Sequence, residues 1–156
     1  MDKVWIHFES IVRRAVNSTQ IEVKFEGGLH PFDERNVHPE IVLVSKKLFD
    51  DGHYSQSTFE AYKLLDRKVQ LLAKVNESGV KLMMRAFSAD TPLIRLTQLS
   101  NTSEKDEQEG YKFIFSGAIQ AIRNPRGHEY GLQDSPTICL DHLSLASLLL
   151  RRLENI

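Results

Sequence analysis

Steps of three and four separate Trp5, Phe8, Val12 and Ala15, which predicts one face of a short helix near the start of the chain. From Gln20 to Glu26 the pattern changes to strict alternation. Ile21, Val23 and Phe25 alternate with Glu22, Lys24 and Glu26, so a half-buried strand is expected, ended by Gly27-Gly28. His38-Pro39 then opens a proline-initiated helix through Phe49, with Ile41, Val44 and Leu48 on one face and Asp51-Gly52 as its stop. Ser57-Thr58-Phe59-Glu60 has the spacing of a capping box, and a start near Tyr54 fits as well. Phe59, Tyr62, Leu65, Val69, Leu72 and Val75 keep helical spacing to about Asn76, so these two helices should pair as an antiparallel hairpin.

Gly79 to Phe87 reads as a short helix and Asp90-Thr91-Pro92 as its break. Leu93 to Leu99 reads as a second strand, which together with the first would make a small β-hairpin. A long helix is expected from the acidic stretch at Ser103, Glu104, Asp106 and Glu107, where carboxylates meet the positive end of the helix dipole. It carries Tyr111, Ile114, Ala118, Ala121 and Ile122 to Arg123. Pro125 should end it and push Asn124 away from helical angles. Ser135-Pro136 starts the final helix, whose Ile138, Leu140, Leu143, Ala146, Leu149, Leu150 and Leu153 form a face wider than one core-facing stripe. The fold class is mainly α. The chain reads as a single domain, with residues 1–37 as an N-terminal helix and strand extension on a helical core from 38 to 156.

Charge and composition remove several classes of function. A net charge of −1 and a pI near 6.6 are not those of a globally basic, nucleic-acid-coating protein, so any such contact must be local. The single cysteine, Cys139, cannot form an intrachain disulfide, and the chain opens on no signal sequence, so a cytoplasmic location is expected. The apolar run around Leu143–Leu150 is interrupted by Ser144 and Ser147 and is too short for a membrane span. His7, His30 and His38 show neither His-x-x-x-His nor His-Glu-x-x-His spacing; no metal and no cofactor are expected.

The stretch with chemistry in it is Ile122-Arg123-Asn124-Pro125-Arg126-Gly127-His128-Glu129-Tyr130. A helix-ending arginine and a histidine beyond a Pro-x-Gly turn could grip and cleave a phosphodiester. A base takes the ribose 2′-hydroxyl proton, the oxygen attacks phosphorus, and an acid protonates the departing 5′-oxygen. Histidine serves both transfers because it titrates near neutrality, and arginine matches the charge building on the non-bridging oxygens. Spacing alone is weak evidence: ten arginines and six histidines give about one Arg-x(4–6)-His match by chance. A salt-linked turn with an exposed histidine would look the same.

Arg123-Asn124-x-x-x-His128 between the last two helices resembles the signature of the HEPN superfamily. His38-Pro39-Glu40-Ile41, Leu48-Phe49-Asp50-Asp51-Gly52-His53-Tyr54, Phe115-Ser116-Gly117-Ala118 and Arg123-Asn124-Pro125-Arg126-Gly127-His128 are similar to the Ymh family within it, over roughly His38 to Ile156. The resemblance implies a HEPN-like four-helix bundle core with an insertion. It also implies a homodimer that brings two such loops together, and a metal-independent endoribonuclease used as a toxin or in antiviral defence, with an antitoxin or defence partner protein. Carried over by position, Arg123 would stabilise the phosphate, Asn124 would orient the site and His128 would transfer the proton. Arg126 departs from the small or apolar residue expected there; it would add an RNA contact or face solvent. Tyr130 occupies a spacing that in some HEPN toxins receives adenylate from a partner nucleotidyltransferase, or it simply closes the loop as an aromatic.

His53 is expected to fix the helix–helix turn rather than join catalysis, His142 to be a core or interface histidine, and Glu60 to cap, although it could also reach the active loop from the second helix of the hairpin. One motif per chain offers one histidine where the reaction needs a base and an acid. The two His128 residues of a dimer would then share the work, with the broad face of the last helix as the pairing surface. The alternative function is a non-catalytic HEPN module that binds nucleotide or RNA and acts through a partner.

Overall fold

A computed structural model describes residues 28–129 and 131–156. The N-terminal helix and the strand at 20–26 expected above lie outside the described residues, as does Tyr130. Contacts divide the chain into Met1–His30 and Pro31–Ile156, and the second unit holds everything below. Its elements are α1 (Pro31–Glu34), α2 (Pro39–Asp50), α3 (Tyr54–Ala73), α4 (Gly79–Ala86), α5 (Thr102–Ala118), a π turn (Ile119–Arg123), α6 (Asn124–His128) and α7 (Pro136–Glu154). Among the described residues there is no strand, and no helix is long and apolar enough to cross a membrane. The second unit, as described, is a mainly helical bundle.

The twenty-residue α3 is the central element, packing against α2, α4, the π turn, α6 and α7. Tyr62, Leu65 and Val69 recur along one of its faces and are fully buried. The α2–α3 hairpin is closed by two small residues: Ser45 Oγ donates to the Ser57 carbonyl at 2.8 Å, and Ser57 Oγ returns a bond to the Ser45 carbonyl at 3.0 Å. Ser57 is therefore a buried contact and not a cap, because α3 already starts at Tyr54. Glu60 instead pairs with Gln56 and Lys63 on the surface.

Residues 31–37, read above as the end of an N-terminal extension, lie against the helices. Phe32 and Val37 are buried in the core, Phe32 packs its ring 5.2 Å from that of Phe49, and Arg35 pairs with Asp141 of α7. His38 is structural: its Nδ1 accepts from the Glu40 amide at 3.2 Å and its Nε2 lies 2.9 Å from Glu154.

Leu93–Leu99 is irregular chain, not a strand. The alternation is real, since Ile94 and Leu96 point inward, but their backbone groups bond to a side chain. Gln108, itself fully buried on α5, accepts from the Leu96 amide at 2.8 Å and donates to the carbonyls of Ile94 at 2.9 Å and Phe87 at 3.2 Å. Gln108→Leu strands those groups away from water, and urea unfolding is expected to show a loss of about 2–3 kcal/mol. A loss under about half a kcal/mol would mean that water replaces the amide.

The acidic stretch opens α5 at Thr102, one residue before Ser103, and Asn101 caps it. Asn101 Oδ1 accepts from the Glu104 amide at 3.0 Å while Glu104 Oε2 accepts from the Ser100 amide at 2.8 Å, which holds the Glu104 carboxyl below its ordinary range. The inward face of α5 carries Gln108, Phe115 and Ala118; Ile114 is largely exposed. Most of the broad apolar surface of α7 is consumed inside the chain, against α2 and α3, leaving Ile138 and Leu148 as its large exposed apolar residues. His142 is half-buried, its Nδ1 makes no hydrogen bond, and burial holds its imidazole below the ordinary value.

Candidate active site

Pro125 does not stop the helix. Asn124 has φ −64° and ψ −45°, well inside the helical region, and the chain passes from α5 through the π turn straight into α6 before Glu129 turns extended. Proline lacks an amide hydrogen and crowds the turn before it, which ordinarily breaks a helix. Here the wider turn absorbs the conflict. The Asn124 amide donates to the Ile119 carbonyl in the i→i−5 pattern, and the Arg126 guanidinium donates from Nη1 to the Ile122 carbonyl at 2.7 Å.

That continuity places the motif on one short rod. Arg123 Nη1 donates to Asn124 Oδ1 at 3.1 Å, and Asn124 and His128, four residues apart, share a face of α6. The Arg123 guanidinium also lies over the Phe59 ring of α3, 5.7 Å from its centre, and its Nε is buried with no hydrogen-bond partner. Gly127 makes that approach possible. A Cβ at 127 would stand 2.9 Å from Phe59 Cε2, so any larger residue must displace the ring. Gly127→Ala should therefore push the ring from under Arg123 and slow any reaction that uses it. Stability should fall by no more than about 2 kcal/mol, because overpacking at about 1–3 is offset by roughly 1 of helix propensity. Paired unfolding curves and rate measurements on the variant check this; unchanged values in both would show that the ring moves without consequence.

Arg126 is not a solvent-facing cation. Its side chain is 7% exposed and grips Asp134, itself 6% exposed, through Nε–Oδ2 at 2.7 Å and Nη2–Oδ1 at 2.6 Å. Asp134 in turn accepts no other role by chance of position: its amide donates to Ser55 Oγ at 2.8 Å, so the segment before α7 is fastened to both α6 and the first turn of α3. The expectation of an RNA contact at Arg126 thus gives way to a buried clasp.

Between these fastened parts lies a cleft of about 770 Å³. His53 and Tyr54 of the α2–α3 turn line it, together with His128 and Glu129 at the end of α6. The turn is set by Gly52 at φ 82°, where the Gly52 amide donates to the Phe49 carbonyl at 3.0 Å and the His53 amide to the Leu48 carbonyl at 2.8 Å. This paired 5→2 and 6→1 pattern ends α2 and hands the chain directly to α3. Both histidines are exposed, and neither side chain makes a hydrogen bond to another described residue. Sequence spacing could not pair them, since they are remote in the chain. Arg123 is outside the lining of the cleft, on the Phe59 side of α6.

Other reactive groups are poorly placed for chemistry. Cys139 is fully buried and burial pushes its thiol up. Among the described residues no three His, Cys, Asp or Glu side chains form a metal-ligand group.

A sequence model of the family described as "Protein of unknown function (Hypoth_ymh)" matches residues 35–153, which is most of the chain. The small ribosomal subunit protein bS6c of Cyanidioschyzon merolae (strain NIES-3377 / 10D) is 26% identical over 92 residues, covering 54% of this chain and 93% of that protein. No solved structure matches the chain.

Proposed function

The chain belongs to this Hypoth_ymh family, and we propose that it acts as a HEPN-type, metal-independent endoribonuclease serving as a toxin or defence effector. The observation that carries the reading is the single rod of α6, on which Asn124 holds Arg123 at 3.1 Å and presents His128 one turn further along the same face. In this reading His128 moves a proton, Arg123 neutralises the charge that grows on the phosphoryl oxygens, and Asn124 sets the arginine's angle. The O2′–P bond forms as the P–O5′ bond breaks, leaving a 2′,3′-cyclic phosphate and a 5′-hydroxyl.

The test is incubation of the purified chain with RNA in excess chelator, followed by analysis of the product ends. Fragments ending in cyclic phosphate are expected. Intact RNA, or cleavage only after metal is added, would overturn the reading; RNA bound without cleavage would identify a non-catalytic module.

A further inference from the structure

We infer that the outward face of α3 from Phe59 to Lys74, joined by Lys81 and Arg85 of α4, is a track for the backbone of a single RNA strand leading to Arg123. The inference rests on the endoribonuclease reading and adds to it the path by which the substrate reaches the motif.

The helical repeat draws the line. At about 100° per residue, Phe59, Lys63, Arg67, Gln70 and Lys74 fall within about 80° of one another on α3, while the buried Tyr62, Leu65 and Val69 point away from them. The stripe begins at the motif, since the Phe59 ring lies under the Arg123 guanidinium. At about 1.5 Å per residue it runs roughly 22 Å to Lys74, a length that spans several nucleotides.

The charges along it are poorly matched within the chain. Lys63, Arg67 and Lys74 are exposed, and neither Arg67 nor Lys74 has a carboxylate partner among the described residues. Of the two acids in this stretch, Glu60 pairs with Lys63 at 3.3 Å, and Asp66 is buried where it accepts from the Gly79 amide at 2.8 Å. Arg67 donates to the neutral amide of Gln70, which donates in turn to the Glu77 carbonyl at 3.0 Å and so draws the start of α4 alongside. There one carboxylate, Glu77, serves both Lys81 at 3.4 Å and Arg85 at 2.9 Å. Five cations thus have two carboxylates for partners on this face, in a chain whose acidic residues outnumber its Lys and Arg by 21 to 20.

A narrow line of cations on a helix edge matches the line of phosphates in one strand, which Lys and Arg hold without reading its bases. The reaction asks for the same substrate. In-line attack needs a 2′-oxygen free to swing opposite O5′, and a duplex holds it aside.

The test measures binding of a single-stranded RNA across a range of salt concentrations, on His128→Ala chains so that the RNA stays whole. Lys63→Gln/Arg67→Gln/Lys74→Gln is compared with Lys46→Gln/Lys47→Gln/Lys105→Gln, which removes equal charge from exposed positions on α2 and α5. The first set is expected to weaken binding about 10-fold or more near 0.1 M salt and to flatten the slope of log Kd against log salt by about 2, at roughly 0.7 for each lost phosphate contact. The second should leave both nearly unchanged. Equal effects from the two sets, or none from the first, would overturn the track, and melting curves show that each variant is folded. Tighter binding of a polyglutamate peptide than of RNA with the same charge, lost in the first set, would also overturn it by assigning the face to an acidic protein. If RNA binds along the track but the wild-type chain never cuts it, the endoribonuclease reading falls and the track stands; if the wild-type chain cuts RNA and the first set binds it as tightly as its parent, the track falls and that reading stands.

Discussion

His128→Ala is expected to lower the rate of RNA cleavage by about 100-fold or more while leaving the unfolding transition in place. The side chain is exposed, and truncating such a residue typically changes stability by about half a kcal/mol or less. Arg123→Ala should cost a similar factor in rate but is less innocent structurally. It gives up the bond to Asn124 and the contact with the Phe59 ring, the latter worth roughly 0.5–1 kcal/mol. Arg123→Lys keeps the charge and loses the planar fork, so it should recover stability better than activity. Circular dichroism and melting curves taken beside the cleavage assay separate the two effects. A His128→Ala chain that cuts RNA at the wild-type rate would remove the histidine from the mechanism.

Breaking the Arg126–Asp134 clasp should produce the largest loss of stability among single substitutions near the site. Both side chains are almost entirely buried and meet through two short bonds, so deleting either leaves the other charge uncompensated, at a cost of about 3–5 kcal/mol. In a chain of this size that is a fall of roughly 10 °C in Tm. The comparison that identifies the cause is the double variant Arg126→Met/Asp134→Leu. It removes both charges at once and should recover much of the lost stability, because apolar replacements of a buried pair are often neutral. Equal losses in the single and double variants would show that the bonds from Arg126 to Ile122 and from Asp134 to Ser55, rather than the ion pair, hold the segment.

Much of the helical frame is written locally. His38-Pro39 opens α2, Gly52 ends it, and Ser135-Pro136 opens α7 with the serine hydroxyl accepting from the Ile138 amide at 3.2 Å. These signals are legible because a cap, a stop and a fixed φ each act within four residues. The misreadings share a different cause, a partner supplied from far away. The alternation at Leu93–Leu99 looks like a strand until Gln108 takes the place of the neighbouring strand. Ser57 has the spacing of a cap, yet it faces Ser45 across the helix hairpin. Pro125 reads as a terminator because no local rule announces a π turn.

The candidate site divides in the same way. Arg123, Asn124 and His128 are contiguous enough to be read as a motif. Arg126 reads as one more cation because Asp134, its partner, lies beyond a turn, and His53 reads as the residue that fixes the α2–α3 turn. The packing of α6 against α3, together with the bonds from Asp134 to Ser55 and Arg126, brings the two histidines to one cleft.

The π turn makes the aim of the motif a matter of integer arithmetic. Each residue of an α-helix advances the azimuth by about 100°, and a turn closed i→i−5 contains one residue more than the surrounding spiral requires. Asn124 and His128 are thus out of phase with α5 by that single surplus step. The direction in which they point depends on how many residues lie between Ala118 and Asn124 rather than on which residues those are.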